Sequence, residues 1–444
     1  MSSNIRKLHH HDCISVPSAL TNNKTKKNTL NAAVKMLCEA VSSHITKIAL
    51  DRGLYFRPSK PLALISGAGI AGLAASFELR AKGFNVVIVE KRECFCRFNV
   101  INLNIETQIF LKRFNLLEKF EKHVAARIKE HRYVLIDKSK SIKRLALSDV
   151  SELQLDDSVS LDPENFHKLF EQDGIYSVPI AVLQTFLAEN ALGRGVNILG
   201  NITARVLSRR QNGGVSKVQI TYDKVIRPDL FFIAEGAHSQ TACALGMETT
   251  EISNSCTGEN WIFGNMTYSG KETFVVSLID TSDKTLRIAN VIFNAQSKVI
   301  NIAVTSEKTV TKDKIKKQIL QTLDQVFTQT VFPMERIHSE LLTTVPKPVH
   351  IVNRTAEPFS LGNTFCIGDS AGSSSPLAGL GGTLGLTLIP RTVKQLLDDH
   401  EDHSPNIHQN FHTFSKGYTS RWIEKSEGIK KFCISLFDKE HNAS

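Results

Sequence analysis

Three glycines and a carboxylate carry the first chemistry in this chain. Gly67, Gly69 and Gly72 fall in Leu62-Ala63-Leu64-Ile65-Ser66-Gly67-Ala68-Gly69-Ile70-Ala71-Gly72-Leu73, and Glu90 closes the apolar run Phe84-Asn85-Val86-Val87-Ile88-Val89. The pattern reads strand, tight turn, helix, strand, acid. Gly67 permits the turn, Gly69 lets the backbone approach a pyrophosphate, and Gly72 lets the helix pack closely on the strand. Ile70 and Ala71 lead into the alanine-rich helix expected over Leu73–Lys82, at whose N-terminus unpaired N–H groups and the helix dipole favour negative charge. Glu90 stands at the spacing of a carboxylate that holds ribose hydroxyls. The implied ligand is a dinucleotide, with a purely structural tight turn as the alternative, and the motif does not separate one dinucleotide from another.

A second cluster lies some 300 residues downstream: Phe365-Cys366-Ile367-Gly368-Asp369-Ser370-Ala371-Gly372-Ser373-Ser374-Ser375-Pro376-Leu377-Ala378-Gly379-Leu380-Gly381-Gly382-Thr383. Again a short apolar strand meets a glycine-rich turn that opens a helix, now with Asp369 at the strand end. Asp369 is placed to receive a ribityl or ribose hydroxyl. Backbone N–H groups at the following helix N-terminus suit the pyrimidine end of a flavin, where negative charge develops on reduction. Taken alone, this cluster also reads as a second structural strand-turn-helix.

The two clusters in this order resemble the paired FAD fingerprints of class A flavoprotein monooxygenases, the p-hydroxybenzoate-hydroxylase-like fold. The resemblance implies that the first cluster binds the ADP half of FAD, and that Gly368, Asp369, Pro376, Gly379, Gly381 and Gly382 hold the ribityl chain and isoalloxazine. Between the clusters, Glu90-Lys91-Arg92-Glu93-Cys94-Phe95-Cys96-Arg97-Phe98-Asn99-Val100-Ile101 resembles the Glu-Lys-Arg, Phe-x-Arg-x-Asn-Val-Leu stretch of MICAL flavoprotein monooxygenases. Val182-Leu183-Gln184-Thr185-Phe186-Leu187, ahead of Gly195-Val196, resembles the MICAL helix that bears a Gln. This likeness places Lys91, Arg92, Arg97, Asn99 and Gln184 by the cofactor. A guanidinium at Arg97 also suits a pyrophosphate on physical grounds.

The family's third fingerprint, an Asp-Gly pair followed by Ser and then Arg, corresponds here to Ala234-Glu235-Gly236-Ala237-His238-Ser239-Gln240-Thr241-Ala242. Glu235 and Gly236 are carried over as cofactor contacts. Glu235 replaces the Asp with a carboxylate one methylene further out, and Ala242 removes a fixed positive charge. FAD binding survives both changes, whereas efficient reduction by NAD(P)H is put in question.

The implied activity is FAD-dependent monooxygenation. NAD(P)H reduces FAD, the reduced flavin captures O2 as a C4a-hydroperoxide, and one oxygen passes to a small molecule or protein side chain, or leaves as hydrogen peroxide. The flavin supplies this chemistry, so no catalytic triad is required, and no side chain is assigned as catalytic. A dehydrogenase, reductase or halogenase of the same fold is the enzymatic alternative. The halogenase is disfavoured because no Trp-x-Trp-x-Ile-Pro run exists and Trp261 and Trp422 lie far apart. An interaction protein that keeps the FAD fold as scaffold is the non-enzymatic alternative.

These residues need a scaffold, and the chain is long enough for one. It has 444 residues, 41% of them hydrophobic, as for a globular protein with a sizeable core. Of its net charge of +10, residues 1–60 hold +7, leaving +3 for the rest. No nucleic-acid partner is therefore indicated for the body, while the basic N-terminal extension suits an acidic partner or membrane surface. Eight scattered cysteines without CxxC pairs or histidines at ligand spacing indicate reduced thiols and no metal site. No signal-peptide pattern or membrane-spanning run is evident, and a cytoplasmic location is expected.

The expected fold is α/β: a Rossmann-type FAD-binding domain interleaved with an antiparallel-sheet substrate domain, and a helical C-terminal tail. Residues 60–127, 173–247 and 350–395 are assigned to the FAD-binding domain, 128–172 and 248–349 to the substrate domain, and 396–444 to the tail. Within 1–59, residues 1–28 read as a disordered polar arm and 30–52 as an amphipathic helix with apolar positions from Leu30 to Ile48. Further helices are expected over Thr107–Lys122, Pro179–Leu192 and Thr311–Phe327. Val218–Tyr222 and Leu230–Ala234 read as a sheet pair with a hairpin turn at Gln211–Gly214, and Leu341–Val352 as strand.

Overall fold

The computed structural model describes residues 59–93, 95, 97, 99–136, 142–145, 176–222, 224–251, 258–268, 270–280, 287–306, 347–351, 353–374, 380–402, 406–417, 419–420 and 422–424. The expectations for residues 1–28, 30–52, Thr311–Phe327, Pro376 and Gly379 lie outside them.

The central sheet has six strands, labelled here in chain order: β1 (Leu62–Ser66), β2 (Asn85–Glu90), β3 (Asn197–Gly200), β4 (Leu230–Ile233), β5 (Ser360–Leu361) and β6 (Thr364–Cys366). Their spatial order is β5-β6-β4-β1-β2-β3. All neighbours run parallel except β5, which pairs antiparallel with β6. Three helices position the site: α1 (Ile70–Ala81), α2 (Ile180–Gly193) and α3 (Leu380–Glu401). Strands covered on both faces are uninterrupted apolar runs, and every residue of β4 is buried. This corrects the expected sheet pair. Val215–Gln219 forms its hairpin with Arg205–Arg209, whereas Leu230–Ile233 is a central parallel strand beside β1.

The helices end where the backbone turns left-handed. Gly83 (φ +86°) follows α1, and its N–H bonds to Arg80 O while that of Phe84 bonds to Leu79 O, both at 3.0 Å. Gly195 (φ +82°) closes α2 in the same way. The helix expected over Thr107–Lys122 is two helices, Thr107–Arg113 and Leu117–His123. Asn115, at φ +54°, stands between them, and Leu116 N–H reaches back to Leu111 O at 2.7 Å. Asparagine tolerates the left-handed region and completes the stop usually made by glycine. α3 runs through Pro390.

A seven-stranded sheet packs beside this core in the order Lys347–Ile351, Gly258–Thr267, Val299–Ser306, Arg287–Asn294, Phe274–Asp280, Glu130–Ile136, Ile142–Leu145. It is antiparallel but for the parallel pairing of Phe274–Asp280 with Glu130–Ile136. Val100, Ile128, Val275, Ile292 and Val299 form an apolar contact between it and the strand Val100–Leu103, and Asn294 Nδ2 donates to Ser177 O at 3.0 Å. The C-terminal helical residues 407–417 cover β6, with Phe411 set edge-on to Phe365 at 4.9 Å. Among the described residues no helix is long and apolar enough to cross a membrane.

Candidate functional site

The first glycine turn is built so that each glycine answers a different demand. Gly67 has φ +112°, and a Cβ there would meet Ala234 O at 2.2 Å. At Gly72 a Cβ would meet Gly67 O at 2.2 Å, so α1 lies directly on the turn. Gly69 is different: its φ of −67° is open to any residue, and the nearest atom to a Cβ would be 3.9 Å away. Neither backbone nor packing asks for glycine at Gly69. α1 begins there with no side-chain cap and no acid in its first turn, an open cradle of N–H groups suited to an anion.

Side chains far away in sequence hold this turn in shape. The Ala68 N–H donates to Glu90 Oε2 at 2.9 Å, and Ala68 O accepts from Gln184 Nε2 at 3.0 Å. Glu90 Oε1 accepts from Arg92 N–H at 3.0 Å. Each Glu90 oxygen thus retains a lone pair for a further donor. Lys91, Arg92 and Arg97 are exposed. The carbonyls of Arg97 and Asn99 accept from Ala181 N–H at 3.0 Å and Ile180 N–H at 2.8 Å, which lays that stretch across the start of α2.

The second cluster converges on the first. Gly368 (φ +60°) presses against α1, where its Cβ would stand 2.6 Å from Ala71 Cβ. Gly385 of α3 lies against Ile70 in the same way at 3.0 Å. Gly381 and Gly382 let α3 approach Trp422 and Ile101, with prospective Cβ contacts of 3.2 and 2.5 Å. Asp369 is exposed yet has protein closely around it. Desolvation raises its carboxyl above the ordinary range, and the charge of Arg97 opposes the rise. The structure therefore brings Arg97 and Asp369 within electrostatic reach of each other.

The third cluster behaves as a strut. Glu235 Oε1 accepts from Ser66 Oγ at 2.5 Å and Thr241 Oγ1 at 2.6 Å, while Oε2 accepts from Ser239 Oγ at 2.7 Å and Thr241 N–H at 3.3 Å. The longer carboxylate thus ties the end of β1 to the helix Gln240–Ala244, in which Ala242 is buried. Gly236 N–H donates to Ser370 Oγ at 2.9 Å, and Ser370 Oγ donates to Gly236 O at 3.1 Å, which joins the third cluster to the second. Burial, with the charge of Glu235, pushes the Cys366 thiol beneath them up to about 12. Sequence reasoning did not single out Ser66, Ser370 or Thr241. Only the hydroxyls beside the glycine turns hinted at them.

A parallel βα sheet with a glycine turn at the start of α1, a second turn from β6 on the same helix end, and an antiparallel sheet alongside define a dinucleotide-binding protein of the FAD-dependent monooxygenase fold. Residues 62–387 match the FAD binding domain family, and the chain belongs to that family. Its structure is similar to those of p-nitrophenol 4-monooxygenase PnpA from Pseudomonas putida DLL-E4 (TM-score 0.60, 14% identity, 84% of this chain and 88% of that one) and PqsL of P. aeruginosa in complex with 2-aminobenzoylacetate (0.59, 16%, 86% and 98%). It is also similar to the peptidyl tryptophan dihydroxylase QhpG (0.56, 13%, 84% and 76%). At these identities the likeness is one of fold. No curated protein matches the chain.

Proposed function

We propose that this protein is an FAD-dependent monooxygenase that takes its electrons from a reduced nicotinamide nucleotide. The observation that carries the reading is the convergence of two glycine turns on one helix N-terminus, with Gly69 kept free of side chain where no protein atom requires it. In this reading residues 60–127, 173–247 and 350–395 form the FAD-binding unit, and 128–172 with 248–349 the substrate unit. Membership of strands in the two large sheets supports that division.

The residues fit FAD. The first-turn N–H groups of α1, at Ile70, Ala71 and Gly72, hold the pyrophosphate, and Glu90 accepts the adenosine ribose hydroxyls on its remaining lone pairs. Asp369 accepts the ribityl hydroxyls, and Arg97 and Asn99 border the middle of the cofactor. Pro376 and Gly379, with Gly381 and Gly382 at the start of α3, border the flavin ring, where the helix dipole favours negative charge. Gln184 and Glu235 act one step back, by fixing Ala68 and Ser66. Bound FAD supplies two-electron redox chemistry and the activation of O2; the chain binds, orients and shields it. The relatives' names include nitrophenol and peptidyl tryptophan. With the MICAL-like stretch at Glu90–Ile101, they support an organic acceptor, either an aromatic small molecule or a protein side chain.

The test is spectroscopic. The purified protein should be yellow, bleach anaerobically with NADH or NADPH, and regain colour on admission of O2. A protein that takes up no FAD sinks the cofactor assignment, and a yellow protein that neither nucleotide bleaches sinks the nicotinamide-driven reaction while leaving FAD in place.

A further inference from the structure

The three-stranded sheet of Arg205–Arg209, Val215–Gln219 and Val225–Ile226 takes no part in the site described above, yet its composition is unlike that of the rest of the body. Residues 205–227 hold six Lys or Arg and one Asp, a net charge of +5. Residues 61–444 together carry only +3, so everything in the body outside this segment sums to −2. Among the described residues six large apolar side chains are exposed, and three of them, Leu207, Tyr222 and Val225, belong to the same segment. Positive charge and exposed apolar surface are thus concentrated together.

Strand pairing sorts these side chains onto one face. Val206, Val218 and Ile226 stand in one row and pack toward the core. Arg205, Gln219 and Val225 form the neighbouring row, and because successive strand residues point to opposite faces, this row and Leu207 look outward. Arg227, two residues beyond Val225, is exposed as well. One end of the sheet is held: Asn363 Nδ2 donates to Val215 O and to Pro228 O, each at 3.0 Å, and Arg209 and Arg210 donate to Ala244 O and Pro228 O. At the other end the turn between Gln219 and Val225 projects, with Tyr222 98% exposed. Among the described residues no carboxylate is paired with Arg205, Lys217, Lys224 or Arg227.

We propose that this sheet docks the protein peripherally on an anionic lipid surface. Headgroup charges attract the four cations, and the Tyr222 ring enters the boundary between headgroups and acyl chains. The cations alone would serve any polyanion. The aliphatic Leu207 and Val225 beside them favour a lipid surface, where they too leave water. Docking of this kind needs no membrane-spanning helix and does not depend on the FAD reading.

The test is co-sedimentation of the full-length protein with vesicles of phosphatidylcholine alone, and of phosphatidylcholine and phosphatidylserine in equal parts. Wild-type protein should bind the mixed vesicles and not the neutral ones, and added salt should weaken the binding. Arg205→Gln combined with Arg227→Gln should lower the partition coefficient about thirtyfold, at about fivefold per cation. Tyr222→Ser should lower it about tenfold, and Tyr222→Trp should retain it. A control pair, Lys119→Gln with Lys122→Gln, removes the same charge from the exposed side of the helix Leu117–His123 and should change binding by less than about threefold. Every altered side chain is exposed, so wild-type melting temperatures are expected throughout. The proposal is overturned if the wild type binds neither vesicle or both equally, or if the control pair loses as much as the sheet pair. A fall in melting temperature shared by every non-binding variant overturns it as well. Sheet variants that bind like the wild type also overturn it, and assign the binding to the basic N-terminal extension. Wild-type protein that binds polyglutamate but no vesicle overturns it too, and marks the face for an acidic protein.

Discussion

Gly69 separates ligand demand from folding demand at a single residue. Gly67 and Gly72 are fixed by protein contacts of 2.2 Å, and Gly67 by a positive φ as well, so substitution at either strains the apoprotein. Gly69 has neither constraint. We expect Gly69→Val to leave the apoprotein melting temperature within error of wild type and to weaken FAD binding roughly tenfold or more, since the side chain occupies the approach to the α1 N–H groups. Equal loss of stability and of FAD affinity would assign Gly69 to the fold instead. The three glycines and Glu90 were legible because their spacing is local. The structural duty of Glu235 was not, since its partner Ser66 is 169 residues away and nothing in the local sequence announces the pairing. Gln184 was found by resemblance, yet its bond to Ala68 O gives it a role as a brace that the resemblance did not state.

Element boundaries follow the same rule. The stops at Gly83 and Gly195 can be read from glycine alone, while the stop at Asn115 was hidden because its left-handed residue is not glycine and the apolar spacing continues through it. Replacing Asn115 by Val should destabilise the fold by about 1–2 kcal/mol, the cost of a β-branched residue in the left-handed region, whereas Asn115→Gly should be neutral within a few tenths of a kcal/mol. Urea midpoints for the two variants check this, and equal effects would mean that the turn is held by something other than its backbone angle. β4 was misread for a related reason. Its apolar run Leu230–Ile233 shows no alternation because both faces are covered, and a buried parallel strand cannot be told from one member of a hairpin pair by pattern alone.

At the scale of the molecule, the candidate site is where segments from distant parts of the chain meet: the α1 turn, the stretch around Arg97 laid on α2, the Glu235 strut and the Gly368–Ser370 turn. Asp369 stands at that junction with its carboxyl held above the ordinary carboxylate range, chiefly by desolvation and against the pull of Arg97. A group whose folded pKa is raised contributes stability that is full below its unfolded value, 3.8 here, and is lost as pH rises through the folded value. Above pH 3.8 the Asp369 carboxyl therefore opposes folding of the apoprotein, through the cost of enclosing its charge. In the function proposed above, FAD would reverse the balance by offering hydroxyl donors to that carboxylate, since whatever binds only the folded state stabilises it by mass action. Asp369→Asn removes the charge at nearly constant volume. The apoprotein of this variant should melt higher than wild type at pH 7, with the difference shrinking as pH falls toward 4. It should also gain less melting temperature from saturating FAD, because an amide is a weaker acceptor than a carboxylate for the ribityl hydroxyls. The two shifts have opposite signs, so thermal melts of both proteins with and without FAD separate them. A lower apoprotein melting temperature in Asp369→Asn would show that the carboxylate is a structural support of the fold, and an unchanged gain from FAD would remove it from the cofactor's binding set.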